Sequence, residues 1–263
     1  MLLNDRKAAE RDLHDRLRGE GRDDPAYNSN KKFYSISRLN EDHVRSWILE
    51  RCAGKRVLDY CCGNGEQTLW LAEHGAAAVG IDISPVSIEN ARREAARRGL
   101  TGKASFAVMD AEATEFPEST FDLIVISGVL HHLDLHRAYR ELARILKPDG
   151  SVIATEALRH NLCIHWYRKL TPHLRSEWET EHILGKREIF SARRHFEDVR
   201  VDRFYHLATL GAVPFRRTSF FTPLLAGLSL VDQLLLRLPG LKWQAWMAVF
   251  VLSKPNKPGP SKV

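Results

Sequence analysis

The sequence predicts an α/β protein built on a parallel, doubly wound sheet. Two observations predict this fold class. Between residues 56 and 155, short apolar runs alternate with amphipathic stretches at the spacing of strands and helices. Three of the apolar runs end at or just before an aspartate, which places acidic side chains at the ends of predicted strands. We expect right-handed crossovers between the parallel strands.

The composition is that of an ordinary globular protein. The chain has 263 residues, of which 44% are hydrophobic and 27% are charged, and its formal net charge is +6. Such an excess is compatible with an acidic partner, either nucleic acid or a membrane. No run of like charges is long enough to form a binding tail, so a mixed surface that leans basic is the favoured interpretation.

The four cysteines indicate a reducing compartment. Cys61 and Cys62 are adjacent and unsuited to pair with each other, and neither Cys52 nor Cys163 completes a CxxC pair. We interpret all four as reduced, small buried residues of a cytoplasmic protein. Residues 1–22 have no apolar signal core, and no uncharged run reaches the roughly 18 residues of a membrane-spanning helix.

The N-terminal part predicts an arm that precedes the main domain. Residues 5–20 have a helical, highly charged pattern, and residues 21–30 interrupt it with Gly, Pro and Asn. The aromatic segment 31–36 follows. Asn40 is predicted to cap a helix over residues 41–52.

The core alternates strand and helix. Ser84 is the predicted cap of one helix, Pro85 suits its first turn, and Gly99 ends it. The predicted strands are 56–61, 77–83, 104–109, 121–126 and 151–155, and the predicted helices are 66–74, 85–98 and 134–146.

The regular alternation ends after the fifth predicted strand. Residues 158–197 are mostly helical in pattern, and residues 199–210 read as a strand. Residues 220–238 form a very apolar helix or pair of helices, and residues 243–252 form a last strand. Residues 254–263, rich in Pro, Lys and Gly, predict a disordered tail.

The three acids at strand ends indicate a nucleoside ligand. On neighbouring parallel strands, Asp59, Asp82 and Asp110 line one edge of the sheet. The second can accept hydrogen bonds from both hydroxyls of a ribose, and the third can accept one from an exocyclic amine. Each acid alone also suits a helix cap, so the prediction of an adenosine-containing ligand rests on the three together.

The turn after the first strand argues against a phosphate ligand. A P-loop requires a lysine that this turn lacks, and the dinucleotide motif requires a third glycine where Thr68 stands. Glu66 would also face a pyrophosphate with negative charge. A ligand with a cationic sulfonium and an amino acid tail tolerates this acid better.

Residues 57–65 are similar to the cofactor motif of the class I S-adenosylmethionine-dependent methyltransferases. Further matches to that family follow in order and at its spacing, and together they cover about residues 55–156. These matches are residues 80–84, 110–112, 121–127, 130–133 and 146–150.

The resemblance implies a Rossmann-like, seven-stranded, mostly parallel sheet with an antiparallel last strand, in which residues 199–210 and 243–252 form the final pair. It also implies a helical arm at the N-terminus and a helical insertion before the last strands. The implied divisions are an arm or lid at 1–40, a cofactor-binding core at 41–157, substrate-side helices and final strands at 158–253, and the tail at 254–263.

The resemblance implies how the methionine end of the cofactor is held. Asp59 lies by its amino group, the backbone from Cys61 through Gly63 to Gly65 lies beneath it, and the Ser127 carbonyl contacts the amino group. The family usually has glycine where Cys61 stands, so this side chain narrows the turn.

The adenosine end is implied in the same way. Asp82 holds the ribose hydroxyls, Ile83 packs on the adenine, Asp110 binds its amine and the Ala111 backbone binds a ring nitrogen. The expected cofactor is S-adenosyl-L-methionine, with S-adenosyl-L-homocysteine as product and no metal.

Three residues are candidates for catalysis. His131 and His132 follow the fourth strand, where an acceptor approaches, and either can act as a base near neutral pH. Tyr34 can close over the cofactor. The alternative is that the histidines pack against the following helix and that Tyr34 packs in the N-terminal part.

Missing motifs narrow the acceptor. After the fourth strand, Ser127 and Gly128 stand where amine methyltransferases of nucleic acids carry Asn/Asp-Pro-Pro-aromatic and where metal-dependent catechol enzymes carry an acid. Cys163 lies too far along the chain to be the nucleophile of cytosine methylation. A small organic acceptor remains, and its reacting atom can be oxygen, nitrogen or carbon.

The substrate is expected between the arm and residues 158–220. Each aromatic or histidine side chain there is also a candidate for the core, and the set is Tyr27, Phe33, Tyr34, His165, Trp166, Tyr167, Tyr205 and Phe215. Residues 220–238 are either buried against the sheet, a homodimer interface, an entrance for a lipophilic acceptor, or a membrane contact bordered by Arg216, Arg217 and Arg237.

The predicted function is methyl transfer to a small organic acceptor in specialised-metabolite or lipid biosynthesis. An RNA or protein methyltransferase is the second hypothesis, favoured only by the basic charge; no sequence-specific nucleic-acid binding is expected. A non-catalytic S-adenosylmethionine-binding regulator or partner protein is the alternative of another class.

Overall fold

A seven-stranded sheet forms the centre of the molecule. The computed structural model describes residues 3–18, 32–171, 178 and 182–257. The strands are β1 (Arg56–Tyr60), β2 (Ala77–Asp82), β3 (Ala104–Val108), β4 (Phe121–Ser127), β5 (Leu146–Ala157), β6 (Phe196–Tyr205) and β7 (Met247–Pro255).

The strand order places a crevice beside β1. The order is β3-β2-β1-β4-β5-β7-β6. The first five strands pair in parallel, and β7 runs antiparallel to both β5 and β6. Because the chain proceeds from β1 first to one side and later to the other, the carboxyl ends of β1 and β4 border the switch point where open α/β sheets bind ligands. The predicted fold class, including the antiparallel last strand, is confirmed.

Helices cover both faces of the sheet. Ser84 accepts a hydrogen bond from the Ser87 amide at 3.0 Å and Pro85 follows it, so the predicted cap is confirmed. The helices are α1 (Leu3–Arg18), α2 (Arg38–Leu49), α3 (Glu66–Glu73), α4 (Pro85–Arg97), α5 (Leu135–Ile145), α6 (Leu162–Leu170), α7 (Lys186–Ser191) and α8 (Phe221–Leu235).

Two apolar clusters lie on opposite sides of the sheet. The cluster on the α5 side contains Tyr60 and Tyr139, and the one beneath α2, α3 and α4 contains Leu69 and Ile88; all four side chains are buried. Since both faces are covered, the central strands are nearly continuous apolar runs.

Asn40 is not a helix cap, contrary to the prediction. Helix α2 begins earlier, at Arg38, so Asn40 lies inside it and faces the core. Its Oδ1 lies 2.8 Å from Nε2 of His206, whose pKa is lowered by burial to about 3. This pair of neutral polar groups links α2 to the end of β6.

The C-terminal strand begins and ends later than predicted, at Met247 and Pro255 instead of residues 243 and 252. Strand β7 continues through Lys254 to Pro255, so these two residues belong to the sheet and not to a tail; residues 258–263 lie outside the described residues. Strand β6 ends at Tyr205, and the residues predicted to extend it turn into a 3₁₀ segment, Thr209–Phe215. In the part of the chain that the structure describes, no helix is both long and apolar enough to cross a bilayer.

Candidate active site

The turn after β1 places the first acid beneath the sheet edge. Asp59 is 4% exposed, and the Thr68 hydroxyl donates to its Oδ2 at 2.7 Å. Burial raises the pKa of Asp59 to about 7; the hydrogen bonds from Thr68 oppose this shift and the charge of Asp82 adds to it. A small change in its surroundings therefore decides whether Asp59 is charged at neutral pH.

The turn itself requires left-handed backbone. Cys61, Gly63 and Gly65 have φ values of 64°, 52° and 81°. A Cβ atom on Gly65 would lie only 2.7 Å from Cβ of Ala91, so this position admits no side chain. Cys61 adopts the same kind of conformation with a side chain, at a cost of roughly 1–2 kcal/mol.

The two cysteines of the turn have unreactive thiols. Burial raises the pKa of the thiols of Cys61 and Cys62, so both are protonated near neutral pH and are poor nucleophiles. All four cysteines are free thiols. Cys52 is buried as expected, whereas Cys163 is exposed, because it lies on the outward side of α6.

Asp82 ties the turn to β2. Its Oδ2 accepts from the Gly63 amide at 2.8 Å and its Oδ1 accepts from the Ser84 amide at 2.9 Å. A carboxylate has about four acceptor positions, so Asp82 can also accept from the hydroxyls of a ribose.

The third acid meets the N-terminal helix. Asp110 accepts from the Glu112 amide at 2.9 Å and forms an ion pair with Lys7 of α1. Glu112 is fully buried; it pairs with Arg6, lies 3.0 Å from Nζ of Lys7, and accepts from the Asp134 amide at 2.8 Å. Helix α1 is thus fixed over the edge of the sheet by charges.

One small cavity collects most of the predicted cofactor residues. Its volume is about 70 Å³, and Arg6, Lys7, Glu10 and His14 of α1 form one wall. Cofactor sites are usually about 300–1,000 Å³, so α1 must shift outward to admit a nucleoside. The predicted residues that line this cavity are Cys61, Asp82, Ile83, Asp110 and Ala111.

Ser127 lies elsewhere. It lines a second cleft of about 380 Å³ with Gln67 and Thr155, and this cleft also borders Glu66 of the turn. The donor and acceptor set of the turn and the small cavity suits S-adenosylmethionine: carboxylates for hydroxyls and amines, and a tight turn that allows close approach.

A third cavity, of about 210 Å³, lies beside the small one, and His132 lines both. Its walls combine aromatic and apolar side chains with two histidines and an arginine. The lining residues are Phe33, Tyr34, Gly128, His131, His132, Ala157, Ile164, Tyr167, Arg168, Ile183, Trp246 and Met247. We call this the acceptor cavity.

The structure brings some of the predicted substrate residues to the acceptor cavity and not others. Phe33, Tyr34 and Tyr167 line it. Tyr27 lies outside the described residues. The others are absent from its walls: His165 and Trp166 are on the exposed side of α6, Phe215 is 47% exposed, and Tyr205 packs between two apolar clusters.

Both candidate histidines have a glutamate partner. Nδ1 of His131 lies 2.9 Å from Oε2 of Glu156, and Nδ1 of His132 lies 3.2 Å from Oε2 of Glu10. Glu156 is fully buried, and its Oε1 accepts from the amides of Val129 and Leu130, each at 2.7 Å. This leaves Glu156 little freedom, so it fixes the orientation of the His131 ring.

Sequence reasoning missed Glu156, although a signal existed. It lies near the carboxyl end of β5, as Asp59 does for β1, and the same argument from strand ends applies to it. No sequence signal pointed to Glu10, since it reaches His132 only through the packing of α1. Across the described residues, no three or more His, Cys, Asp or Glu side chains are grouped to hold a metal ion.

The match to known proteins covers the segment that carries the turn, the three aspartates and the histidine pair. A family model described as a methyltransferase domain matches residues 58–154. Residues 58–154 form a methyltransferase domain. The methyltransferase domain begins in β1 and ends in β5, and so includes the turn, the three aspartates and the histidine pair.

Two relatives are similar over the same part. The demethylmenaquinone methyltransferase of Thermus thermophilus is 39% identical over 107 residues, 40% of this chain and 48% of that protein. The tocopherol O-methyltransferase of Arabidopsis thaliana is 36% identical over 110 residues, 41% of this chain and 32% of that protein. The chain thus spans about half or less of the length of these relatives.

A solved structure is similar over most of the chain. The geranyl diphosphate C-methyltransferase of Streptomyces coelicolor superposes with a TM-score of 0.59 and 15% sequence identity, over 86% of each chain. At this level of identity the likeness concerns the fold, and it extends beyond the methyltransferase domain to the C-terminal strands.

Proposed function

We propose that this chain transfers a methyl group from S-adenosylmethionine to a small organic acceptor bound in the acceptor cavity, with His131 as the base. One observation carries the proposal. A histidine oriented by a fully buried glutamate lines an aromatic cavity, and that cavity shares a wall with the carboxylate-lined site of the methyltransferase domain.

We assign cofactor binding to the turn after β1 and to the residues at the ends of β2 and β3. Asp82 accepts from the ribose hydroxyls, Asp110 and the Ala111 backbone bind the adenine, and Asp59 balances the amino group of the methionine part. When bound, S-adenosylmethionine supplies a methyl group on a positively charged sulfur. Residues on α1 close over the adenosine and exclude water.

The hydrogen bond between His131 and Glu156 determines which ring nitrogen of His131 acts as the base. A carboxylate only accepts hydrogen bonds, so Nδ1 of His131 carries the proton and Nε2 is left with a free electron pair. Nε2 then takes the proton that the acceptor loses as it attacks the methyl group. Such a base favours an acceptor that still carries a proton, such as a hydroxyl group or an activated carbon.

The cavity walls support a lipophilic acceptor. Phe33, Tyr167, Trp246 and Met247 offer apolar and aromatic contacts, and Arg168 adds a cationic side chain. The similar proteins are named for demethylmenaquinone, tocopherol and geranyl diphosphate, which are lipophilic molecules. We place the reaction in specialised-metabolite or lipid biosynthesis in the cytoplasm, and the four free thiols support that compartment.

The test combines binding with turnover. Calorimetry should detect binding of both S-adenosylmethionine and S-adenosylhomocysteine, and a panel of phenols, quinols and isoprenoid alcohols should reveal methylation. Binding of neither ligand would refute the proposal.

Glu156→Gln tests the base directly. The glutamine carbonyl still accepts from the Val129 and Leu130 amides, but its NH₂ group faces Nδ1 of His131 and moves the proton to Nε2. We expect kcat to fall by about 10²–10⁴ while cofactor affinity is unchanged. His132→Gln, which leaves the Glu156 pair intact, is the matched control. Equal losses in both variants would contradict the assignment of His131 as the base.

A cofactor-binding protein without methyl transfer is the second candidate. It is favoured by the position of α1, which pairs with Asp110 and Glu112 over the small cavity: a bound cofactor would displace this helix, and such a displacement is what a regulator requires. Cofactor binding without methylation of any acceptor on the panel would support it.

A further inference from the structure

Helix α8 turns an apolar face to solvent. Phe220, Leu230, Leu234 and Leu238 are 72%, 64%, 66% and 52% exposed. Leu230 and Leu234 are spaced four residues apart and therefore lie on one side of α8, and Phe220 and Leu238 lie just before and just after the helix. Helices on the surface of a protein usually expose their polar side, so this arrangement is reversed.

The one charged residue of α8 is turned inward. Asp232 is 6% exposed, and it accepts from the Thr209 hydroxyl at 2.7 Å and from the Ala208 amide at 2.5 Å. These contacts attach the inner side of α8 to the 3₁₀ segment and remove the only acid from its surface. The outward side of α8 carries no charge.

Cations border this apolar face. Arg217 and Arg237 are exposed at the two ends of α8, and Arg216 is half-buried beside them. From Arg203 to the end of the sequence, Asp232 is the only acidic residue. The segment from Arg203 to Lys257 is therefore apolar and positively charged at this face, because its one acid is turned inward.

Helix α6 has a second exposed apolar stripe. Leu162, Trp166 and Leu170 are 66%, 61% and 75% exposed and are also spaced four residues apart. The inner residue Ile164 of α6 belongs to the same apolar cluster as Phe221 of α8. That cluster also contains Trp246 and Met247, which line the acceptor cavity with Ile164. Both stripes therefore lie on helices that pack around the cavity walls.

We propose that the exposed faces of α6 and α8 dock on a lipid bilayer that carries anionic headgroups. Leucine and phenylalanine side chains insert at the level of the headgroups, a tryptophan suits the same depth, and the arginines meet the negative surface. Helix α8 has 15 residues, fewer than the roughly 20 that span a bilayer, so it lies in the plane of the membrane. Docking would place the acceptor cavity next to the membrane, in which lipophilic molecules are dissolved.

A second copy of the chain fits the same face less well. A symmetric pair formed through α8 would bring Arg216, Arg217 and Arg237 of both copies together, and this region offers no exposed acid to compensate them. Docking itself does not depend on methyl transfer; only the delivery of an acceptor rests on the proposed function.

Co-sedimentation of the full chain with vesicles tests the proposal. We expect binding to phosphatidylcholine vesicles that contain phosphatidylserine, weaker binding to phosphatidylcholine alone, and weaker binding as salt rises. Arg217→Gln combined with Arg237→Gln should reduce partitioning by about 30-fold, since each cation contributes about fivefold near such a surface. Leu230→Gln combined with Leu234→Gln should also reduce it.

Matched variants elsewhere serve as controls. Leu49→Gln replaces a leucine of α2 that is 45% exposed, and Arg93→Gln with Arg97→Gln replaces two exposed arginines of α4. Both controls should bind vesicles like the unchanged chain, and circular dichroism should show that every variant is folded.

Three outcomes would overturn the proposal. The first is no binding to anionic vesicles, and the second is binding that neither pair of α8 substitutions reduces. The third is a dimer in solution that the leucine substitutions dissociate, without vesicle binding, which would assign the face to a second copy. None of these readouts requires turnover, so failure of the proposed methyl transfer would be seen separately in the acceptor panel.

Discussion

At the scale of single residues, we expect Asp59 to make cofactor binding sensitive to pH. Its pKa is raised by burial to about 7, so it is largely protonated and neutral below that value. The ammonium group of the cofactor favours the carboxylate and lowers this pKa on binding. Affinity should therefore decrease as pH falls below 7, approaching about tenfold per pH unit.

Calorimetry between about pH 5 and pH 7 measures this effect. Asp59→Asn removes the titrating group, so its affinity should be weaker and nearly independent of pH in that range. The same slope in Asp59→Asn would show that another group is responsible.

Cys61 carries backbone strain that a glycine would relieve. Its φ of 64° costs a residue with a side chain roughly 1–2 kcal/mol, whereas glycine adopts it freely. Cys61→Ala retains the strain, and Cys61→Gly removes it. Glycine also has greater freedom in the unfolded chain, which offsets part of this gain. We therefore expect the free energy of unfolding of Cys61→Gly to be about 1 kcal/mol higher than that of Cys61→Ala.

Urea denaturation of the two variants tests this difference. Because Cys61 lines the small cavity beside α1, Cys61→Gly should also bind the cofactor at least as tightly as the unchanged chain. Equal stability of the glycine and alanine variants would mean that the turn is not strained.

At the scale of elements, buried charges hold α1 against the edge of the sheet. Arg6 is 3% exposed and pairs with fully buried Glu112. Breaking a buried ion pair by removing one partner costs about 3–5 kcal/mol, because the other charge is left uncompensated. In Arg6→Met, Lys7 remains near Glu112 but cannot satisfy it alone.

We therefore expect Arg6→Met to release α1 from the sheet edge while the core stays folded. Limited proteolysis should cut within residues 3–18 faster, and the rate constants of cofactor binding and release should both rise. Arg11→Met removes an exposed arginine of the same helix and is the control. Unchanged protection of α1 in Arg6→Met would contradict this account of its docking.

At the scale of the whole molecule, Lys257, the last residue that the structure describes, is attached to the end of α5 and the start of β5. Nζ of Lys257 donates to the carbonyl oxygens of Ala143 and Arg144 at 2.8 and 2.9 Å, and also to that of Leu146. It thus satisfies carbonyl groups at the end of α5 that have no partner inside the helix.

Lys257→Met should lower the free energy of unfolding by about 1.5–3 kcal/mol, the usual contribution of a charged hydrogen-bond donor. Thermal and urea denaturation measure this change. Lys254→Met changes an exposed lysine of β7 and should have little effect. A loss of similar size in both variants would mean that charge alone, and not the contact with α5, stabilises the chain end.

The sequence by itself determined the sheet and the cofactor turn. These features are local: an apolar run, an aspartate at its end and two glycines in a turn each follow from the chemistry of a few adjacent residues. The helix cap at Ser84 and the alternation of strands and helices in the core were predictable for the same reason. The prediction at Asn40 was wrong, because the helix starts earlier and the pairing with His206 lies 166 residues away.

Only the tertiary structure decided which side chains meet at the site. The position of α1 over Asp110 and Glu112, the pairing of His131 with Glu156, and the closure of the acceptor cavity by Trp246 depend on contacts between distant segments. Trp166 and Tyr34 are aromatic residues that are 61% and 57% exposed, yet of the two only Tyr34 lines the acceptor cavity. Helix orientation separates them, and packing of the whole chain sets that orientation.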